Sequence, residues 1–155
     1  TPSNSSAASD VYKRQALIHR LQEEQIPLEK AKLLAFLTNS LGKAVEISQD
    51  EWFNDAKDLI YQWFVYLQKQ DTQAFIYVQK KLVKSFKEKT QQFTGLSVLM
   101  FYYQEAQRQA VANGEYGKVK QINQIIERIL IAEQKLRSNV SFQAVAEQFV
   151  LHTIF

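Results

Sequence analysis

The chain has 155 residues, a net charge of +3, no cysteine, 4 glycines and 2 prolines. This length suits one domain, or one domain and part of another; the lack of cysteine excludes a disulfide framework and thiolate metal sites. No apolar run reaches the roughly 18 residues that a membrane-spanning helix needs. So few glycines and prolines beside 46% hydrophobic residues, 10 Phe and 7 Tyr predict an all-helical fold with a substantial core. The mild positive charge does not by itself argue for a nucleic-acid partner.

Residues 1–15 are rich in Ser, Ala and Asn without periodicity and are expected to be disordered. The string Ser5 to Gln15 resembles a translated linker and is set aside as non-native, which would make the chain a truncated protein. Leu17, Ile18 and Leu21 then mark a short helix. Pro27 suits a first helical turn, with Leu28, Ala31, Leu34, Ala35 and Leu37 forming the next face. Asn39-Ser40 breaks that helix and caps a short third one through Ala44, Val45 and Ile47. A domain boundary is expected at Ser48-Gln49-Asp50, between these short helices and a bundle of about five longer ones.

Asp50 caps a long helix with Trp52, Phe53, Ala56, Leu59, Ile60, Trp63, Phe64 and Leu67 inward. Tyr61, Val65 and Tyr66 make it apolar nearly all round, so it should be central, with any uncovered aromatic side turned to a partner. Asp71 caps a helix through Phe75, Val78, Leu82 and Phe86. Another runs from about Gln92 to Ala112 through Leu96, Leu99, Met100, Tyr103 and Ala106, and Asn113-Gly114 ends it. Val119, Ile122, Ile126, Ile129 and Leu136, widened by Ile125 and Leu130, give the next stripe. After the break at Arg137–Ser141, Ser141 caps a last helix with Phe142, Val145, Ala146, Phe149 and Val150 inward. No internal repeat of fixed period is present.

No glycine stands in a Gly-x-x-x-x-Gly-Lys arrangement, so no phosphate-cradling loop is expected. His19 and His152 lack a marked nucleophile or second acid and read as structural or surface histidines. Glu23, Glu24, Glu29, Glu127 and Glu133 lack the Glu-x-x-His spacing of a di-iron bundle and read as solvated. Glu147 sits beside the last apolar stripe, where an ion pair to a neighbouring helix or subunit competes with simple exposure. Lys80, Lys81, Lys84, Lys87 and Lys89 form a basic cluster. Lys80, Lys84 and Lys87 are expected on one helix face, where a phosphate contact is conceivable but a solvated face is the preferred reading. No catalytic, cofactor or metal site is expected.

Two segments carry a resemblance. Asn139 to Leu151, an Asn-Val dipeptide followed by a capped apolar helix, resembles the closing segment of bacterial DNA polymerase III clamp-loader subunits. That family's usual Pro after the cap is Phe142 here. Leu34 to Ile47 resembles the end of an AAA+ lid: Ser40, Leu41, Gly42 and Ala44 match the family's Gly-Ser-Leu-Gly-Arg-Ala pattern, with Asn39 for its Gly and Lys43 for its Arg. Gly42 stands where nucleotide-hydrolysing relatives have a sensing Arg. This departure points to the delta-prime branch, which resembles the motor subunits but does not hydrolyse ATP.

The resemblance implies that residues 16–49 end a lid domain and residues 50–155 form a helical collar domain. The implied role is structural, in DNA replication, and cytoplasmic. The partners would be other clamp-loader subunits, with DNA reached only through the assembly; no membrane or small-molecule substrate is implied. Nucleotidyl transfer would belong to the parent DNA polymerase. Asn139, Val140, Glu147 and Phe149 are the expected subunit interface, and Lys80, Lys84 and Lys87 the candidate phosphate contacts. The alternatives are a small helical enzyme or phosphorelay bundle using His19 or His152, and a helical nucleic-acid binder.

Overall fold

A computed structural model describes residues 2–155, with side chains described from Ala8 onward. The described residues are helical and contain no strand, as composition predicts. They form α1 (Pro2–Glu23), α2 (Leu28–Leu37), α3 (Leu41–Ser48), α4 (Glu51–Gln68), α5 (residues 73–85), α6 (Lys89–Ala112), α7 (Tyr116–Arg137) and α8 (Phe142–Ile154). The helices divide into two compact units that meet in sequence between Asp55 and Ala56.

The boundaries follow local chemistry. Ser40 and Ser141 accept the backbone N–H of Lys43 and Ala144, each at 3.2 Å, and so cap α3 and α8. Asp50 accepts from the N–H of Phe53 at 3.3 Å, and Asp71 from that of Gln73 at 2.9 Å. At the start of α6, Glu88 and Gln91 form a reciprocal capping box, which places the helix start ahead of the expected Gln92. Four helices end on a residue of positive φ: Gln25 (67°), Gln70 (53°), Gly114 (70°) and Asn139 (67°). At Asn139 the N–H of Val140 reaches back to the Lys135 carbonyl and that of Asn139 to Leu136, the paired bonds of a Schellman stop. Three of these four stops use a residue other than glycine. This is how eight helices are joined with so few glycines.

In the first unit α1, α2 and α3 contact one another. Leu17 and Leu21 of α1 are buried, together with Ala31, Leu33, Leu34 and Ala35 of α2 and Ala44 of α3. Leu28, expected inward, is 43% exposed, and Leu33 takes its place. Residues 8–15, for which disorder is expected, continue α1, and all of them are exposed. Once Ala16–Glu23 is docked, each further helical residue adds a backbone bond without a new nucleation cost. Their lack of an apolar stripe governs burial, not helicity. Residues 1–7 lie outside the described side chains.

The second unit is built around α4. On one side Trp63 is fully buried, donates its indole N–H to the Ala74 carbonyl at 3.2 Å, and packs 5.7 Å from the ring of Phe149 on α8. On another side Phe64 packs edge-on against Tyr103 of α6 at 4.8 Å, and Tyr61 against Tyr102 at 5.2 Å. The aromatic width of α4 is thus largely covered inside its own unit. Only Tyr61, 52% exposed, keeps the expected outward component.

Helix α5 is not a plain α-helix: Gln73–Tyr77 and Val83–Ser85 are α-helical, and Val78–Leu82 between them is π-helical. Its core residues Ala74, Val78, Leu82 and Phe86 recur every four positions, and all are buried. In an α-helix that spacing drifts about 40° per step. The wider π turn takes up the drift and keeps the row on one side.

At the end of this row Phe86 lies under Gly95 of α6. A Cβ built at Gly95 would come within 2.8 Å of the Phe86 ring and 3.5 Å of Ile60. Alanine favours a helix interior over glycine by about 1 kcal/mol, yet Phe86 is fully buried and cannot yield. Gly95→Ala is therefore expected to destabilise the fold by about 1–3 kcal/mol, read as a fall in the urea midpoint. A rise in the midpoint would contradict this packing.

Candidate interaction surface

The residues expected at a subunit interface have local roles. Asn139 and Val140 make the Schellman stop of α7, and the Asn139 side chain also accepts from Lys89 of α6. The Glu147 carboxylate accepts from the side-chain amide of Gln79 at 3.1 Å, a link between α8 and α5 inside the chain. Phe149 is only 4% exposed and belongs to the core against Trp63. A ring so placed has little surface left to offer a partner.

One open surface of the second unit lies between α7 and α8. A groove of about 290 Å³ runs there. Ala132, Val145 and Phe149 line it as buried apolar residues, and Ile131 stands at its edge. Arg128, Lys135 and His152 also line it, and Lys135 bonds across to Gln148. Ile131 is 49% exposed and Leu151, next to His152 on α8, is 46% exposed. Sequence reasoning overlooked Ile131. Its signal was available: an isoleucine two positions past Ile129, and so on the far side from the buried Ile122–Ile129–Leu136 stripe.

The basic cluster is arranged differently from expectation. Lys80 and Lys84 lie four residues apart on α5 across the π turn, on the side away from the buried row. Lys87 does not share their helix face, because α5 ends at Ser85 and Phe86 leaves helical geometry at φ −114°, ψ 73°. Lys87 sits in the connector, and its N–H donates to the Gln91 side chain at 3.1 Å. Lys81, Lys84, Lys87 and Lys89 are all exposed, as is Lys80.

The histidines are surface groups. His19 lies 3.1 Å from Glu23, one turn away on α1, with both side chains largely exposed. His152 is exposed at the α7–α8 groove. Among the described residues no cluster of three or more His, Asp or Glu is placed to hold a metal ion. The glycines lie in α3, α6 and α7 and at the stop of α6, so none forms a loop around a phosphate. Among the described residues no helix is long and apolar enough to cross a membrane.

The shifted titrations are structural as well. Tyr77 donates its hydroxyl to the Leu59 carbonyl at 3.0 Å and Tyr102 to that of Lys57 at 3.3 Å, so α5 and α6 both tie to the backbone of α4. Burial, then neighbouring Tyr66, pushes Tyr77 up to about 12. Burial, then Asp58 and Tyr61, pushes Tyr102 up to about 12. Burial alone raises Tyr103 further, and burial raises Glu133 against the lowering effect of Arg137. An unfolded tyrosine titrates near 10. The folded state thus favours the neutral phenols, and that contribution is intact below pH 10 and lost as pH climbs through about 12. Urea midpoints are expected to hold level up to about pH 9.5 and fall steeply between pH 10 and 12; the double variant Tyr77→Phe/Tyr102→Phe should show a shallower fall. An equally steep fall in the variant would contradict the assignment.

Comparison with known proteins gives one informative likeness. The chain is 29% identical over 153 residues to DNA polymerase III subunit delta′ of Bacillus subtilis (strain 168), a match covering 88% of this chain and 46% of that protein. The chain therefore spans about half the length of this curated relative. The likeness to a delta-prime subunit read from Leu34–Ile47 and Asn139–Leu151 is shown by this match. No family model matches, and no solved structure matches.

Proposed function

We propose that this chain, similar as it is to a DNA polymerase III delta-prime subunit, is a non-catalytic assembly part of a bacterial clamp loader acting in the cytoplasm. In this reading residues 16–49 close an AAA+ lid, and residues 50–155 form a collar that packs against collars of sister subunits. The division into two compact units supports such a split, although it falls six residues later, between Asp55 and Ala56. Residues 1–15 are the translated linker in this reading, of which residues 8–15 are an exposed extension of α1. Work is done by burying apolar helix surface, with no bond made or broken. Nucleotidyl transfer belongs to the polymerase that the loaded clamp serves.

The observation that carries the reading is the likeness to subunit delta′; the α7–α8 groove supplies a physical place for it. Burying apolar area stabilises by roughly 25 cal/mol per Å², so Ile131 and Leu151 are worth covering. Ile131 and Leu151 are half-exposed, whereas Phe149 is buried against Trp63 and the Glu147 carboxylate bonds Gln79 within the chain. Interface cores are apolar and rims polar, and the groove's apolar lining beside Arg128, Lys135 and His152 fits that pattern.

Capture by immobilised clamp-loader partner subunits tests this. Ile131→Asp and Leu151→Asp should each weaken capture about tenfold or more, because a buried unpaired carboxylate costs several kcal/mol. Both side chains are half-exposed in the free chain, so melting temperatures should stay within a few degrees of the parent. Lys84→Ala should leave capture unchanged. Full capture of both aspartate variants would count against the proposal.

A further inference from the structure

The strongest charge feature of the molecule lies away from that groove, where α5 bends into α6. Between residues 80 and 89 stand five lysines and one glutamate, a local charge of +4. The whole chain carries +3, so the other 145 residues together carry −1. The net positive charge of the chain is in effect this one bend. A surface whose lysines are paired with acids would be neutral in practice, and this one is not. Among the described residues none of Lys80, Lys81, Lys84, Lys87 and Lys89 lies in an ion pair. Glu88 is occupied as the cap of α6, where its carboxylate accepts a backbone N–H.

The fold gathers these charges. The π turn that keeps Ala74, Val78, Leu82 and Phe86 on the core side keeps Lys80 and Lys84 together on the outside. Phe86, pinned by Gly95 and packed 5.8 Å from Phe142, turns the chain so that Lys87 and Lys89 follow directly. Lys89 reaches Asn139, and Arg137 stacks 5.9 Å over Phe93, one turn along α6 from Lys89. The turn after α7 thus brings a sixth cation to the edge of the bend. Arg137 itself is shared with Glu133 at 3.7 Å, and Glu147, held by Gln79, marks an acidic border near Lys80.

We propose that this bend is a contact site for the phosphate backbone of a nucleic-acid duplex, with Lys80, Lys84 and Lys87 as its principal cations and Lys81 and Lys89 flanking them. The chemistry of the patch selects among polyanions. An acidic protein partner needs apolar surface to bury; the exposed neighbours Gln79 and Thr90 are polar, and Ile76, one turn before Lys80, is the nearest open apolar side chain. A membrane surface calls for several large apolar side chains that enter the lipid; between residues 78 and 90 none is exposed, and Ile76 is again the nearest. Single strands are held by stacking on open aromatics; Phe86 is buried and Phe93 is covered by Arg137. A duplex backbone asks only for cations at intervals, and gives no sequence preference. The site does not depend on the assembly reading.

The test uses the 155-residue chain without partner subunits and a fluorescein-labelled 20-base-pair DNA duplex, followed by anisotropy from 50 to 200 mM salt. Each phosphate contact contributes about −0.9 to the slope of log K against log salt, so a slope between about −3 and −5 is expected. Lys80→Gln/Lys84→Gln/Lys87→Gln should weaken binding about tenfold or more at 50 mM salt and flatten the slope by about 3. The control Lys118→Gln/Lys120→Gln, exposed residues on α7, should bind like the parent. The proposal is overturned by absent binding at 50 mM salt, by a slope unchanged in the triple variant, or by an equal loss in the control. Binding to phosphatidylserine vesicles that is as tight and as dependent on the three lysines would also overturn it. Because no partner subunit is present, failure here leaves the assembly reading standing, and success does not establish it.

Discussion

Trp63 is the contact on which the second unit depends. Its indole is wholly enclosed, its N–H is satisfied by the Ala74 carbonyl of α5, and its ring receives Phe149 of α8. One side chain of α4 thereby fixes two other helices. Truncating a buried tryptophan costs about 3–5 kcal/mol, against a total stability of about 5–15 kcal/mol for a domain. No single surface pair approaches that figure, since exposed ion pairs are worth about 0–1 kcal/mol. The position of α8, and with it one wall of the α7–α8 groove, therefore follows from core packing and not from charge.

The same economy separates what the chain does for itself from what it leaves open. Phe64, Tyr102 and Tyr103 close the second aromatic side of α4. Hydroxyls from Tyr77 and Tyr102 add hydrogen bonds to α4 carbonyls in places that water does not freely reach. The surface left on the second unit includes open apolar residues, Ile131 and Leu151 with Tyr61, Leu130 and Tyr116 among them, and the cationic α5–α6 bend. They are chemically unlike each other, which makes one shared partner a poor account of both.

Much of this was legible in the residues. Ser40, Asp50, Asp71 and Ser141 announced helix starts, and each is found accepting a first-turn N–H. Phe142, Val145, Ala146, Phe149 and Val150 are buried as their spacing requires. What periodicity could not carry was geometry that departs from 3.6 residues per turn. The four-residue spacing of Ala74, Val78, Leu82 and Phe86 fits a drifting α-helix almost as well as a π turn, so the helix was read as plain and Lys87 was assigned to its face. Helix stops on Gln25 and Gln70 were hidden for a related reason: glutamine does not advertise positive φ as glycine or asparagine does. The half-exposed Ile131 was overlooked because an apolar stripe identifies what is buried, while an open apolar residue is the exception outside the stripe. Leu28 shows the converse, an apolar residue in register that the neighbouring helices do not reach.

The packing around Trp63 is complete within the chain, and the proposed assembly would cover the outer surface of α7 and α8. Amide hydrogen exchange, measured on the chain alone and on the chain mixed with the clamp-loader subunits proposed as partners, addresses both halves together. The account predicts slower exchange on assembly in residues 128–136 and 145–152, with the central turns of α4 and α6 already protected and unchanged. Exchange in α7 and α8 that is indifferent to assembly, or new protection appearing first around Trp63, would contradict it.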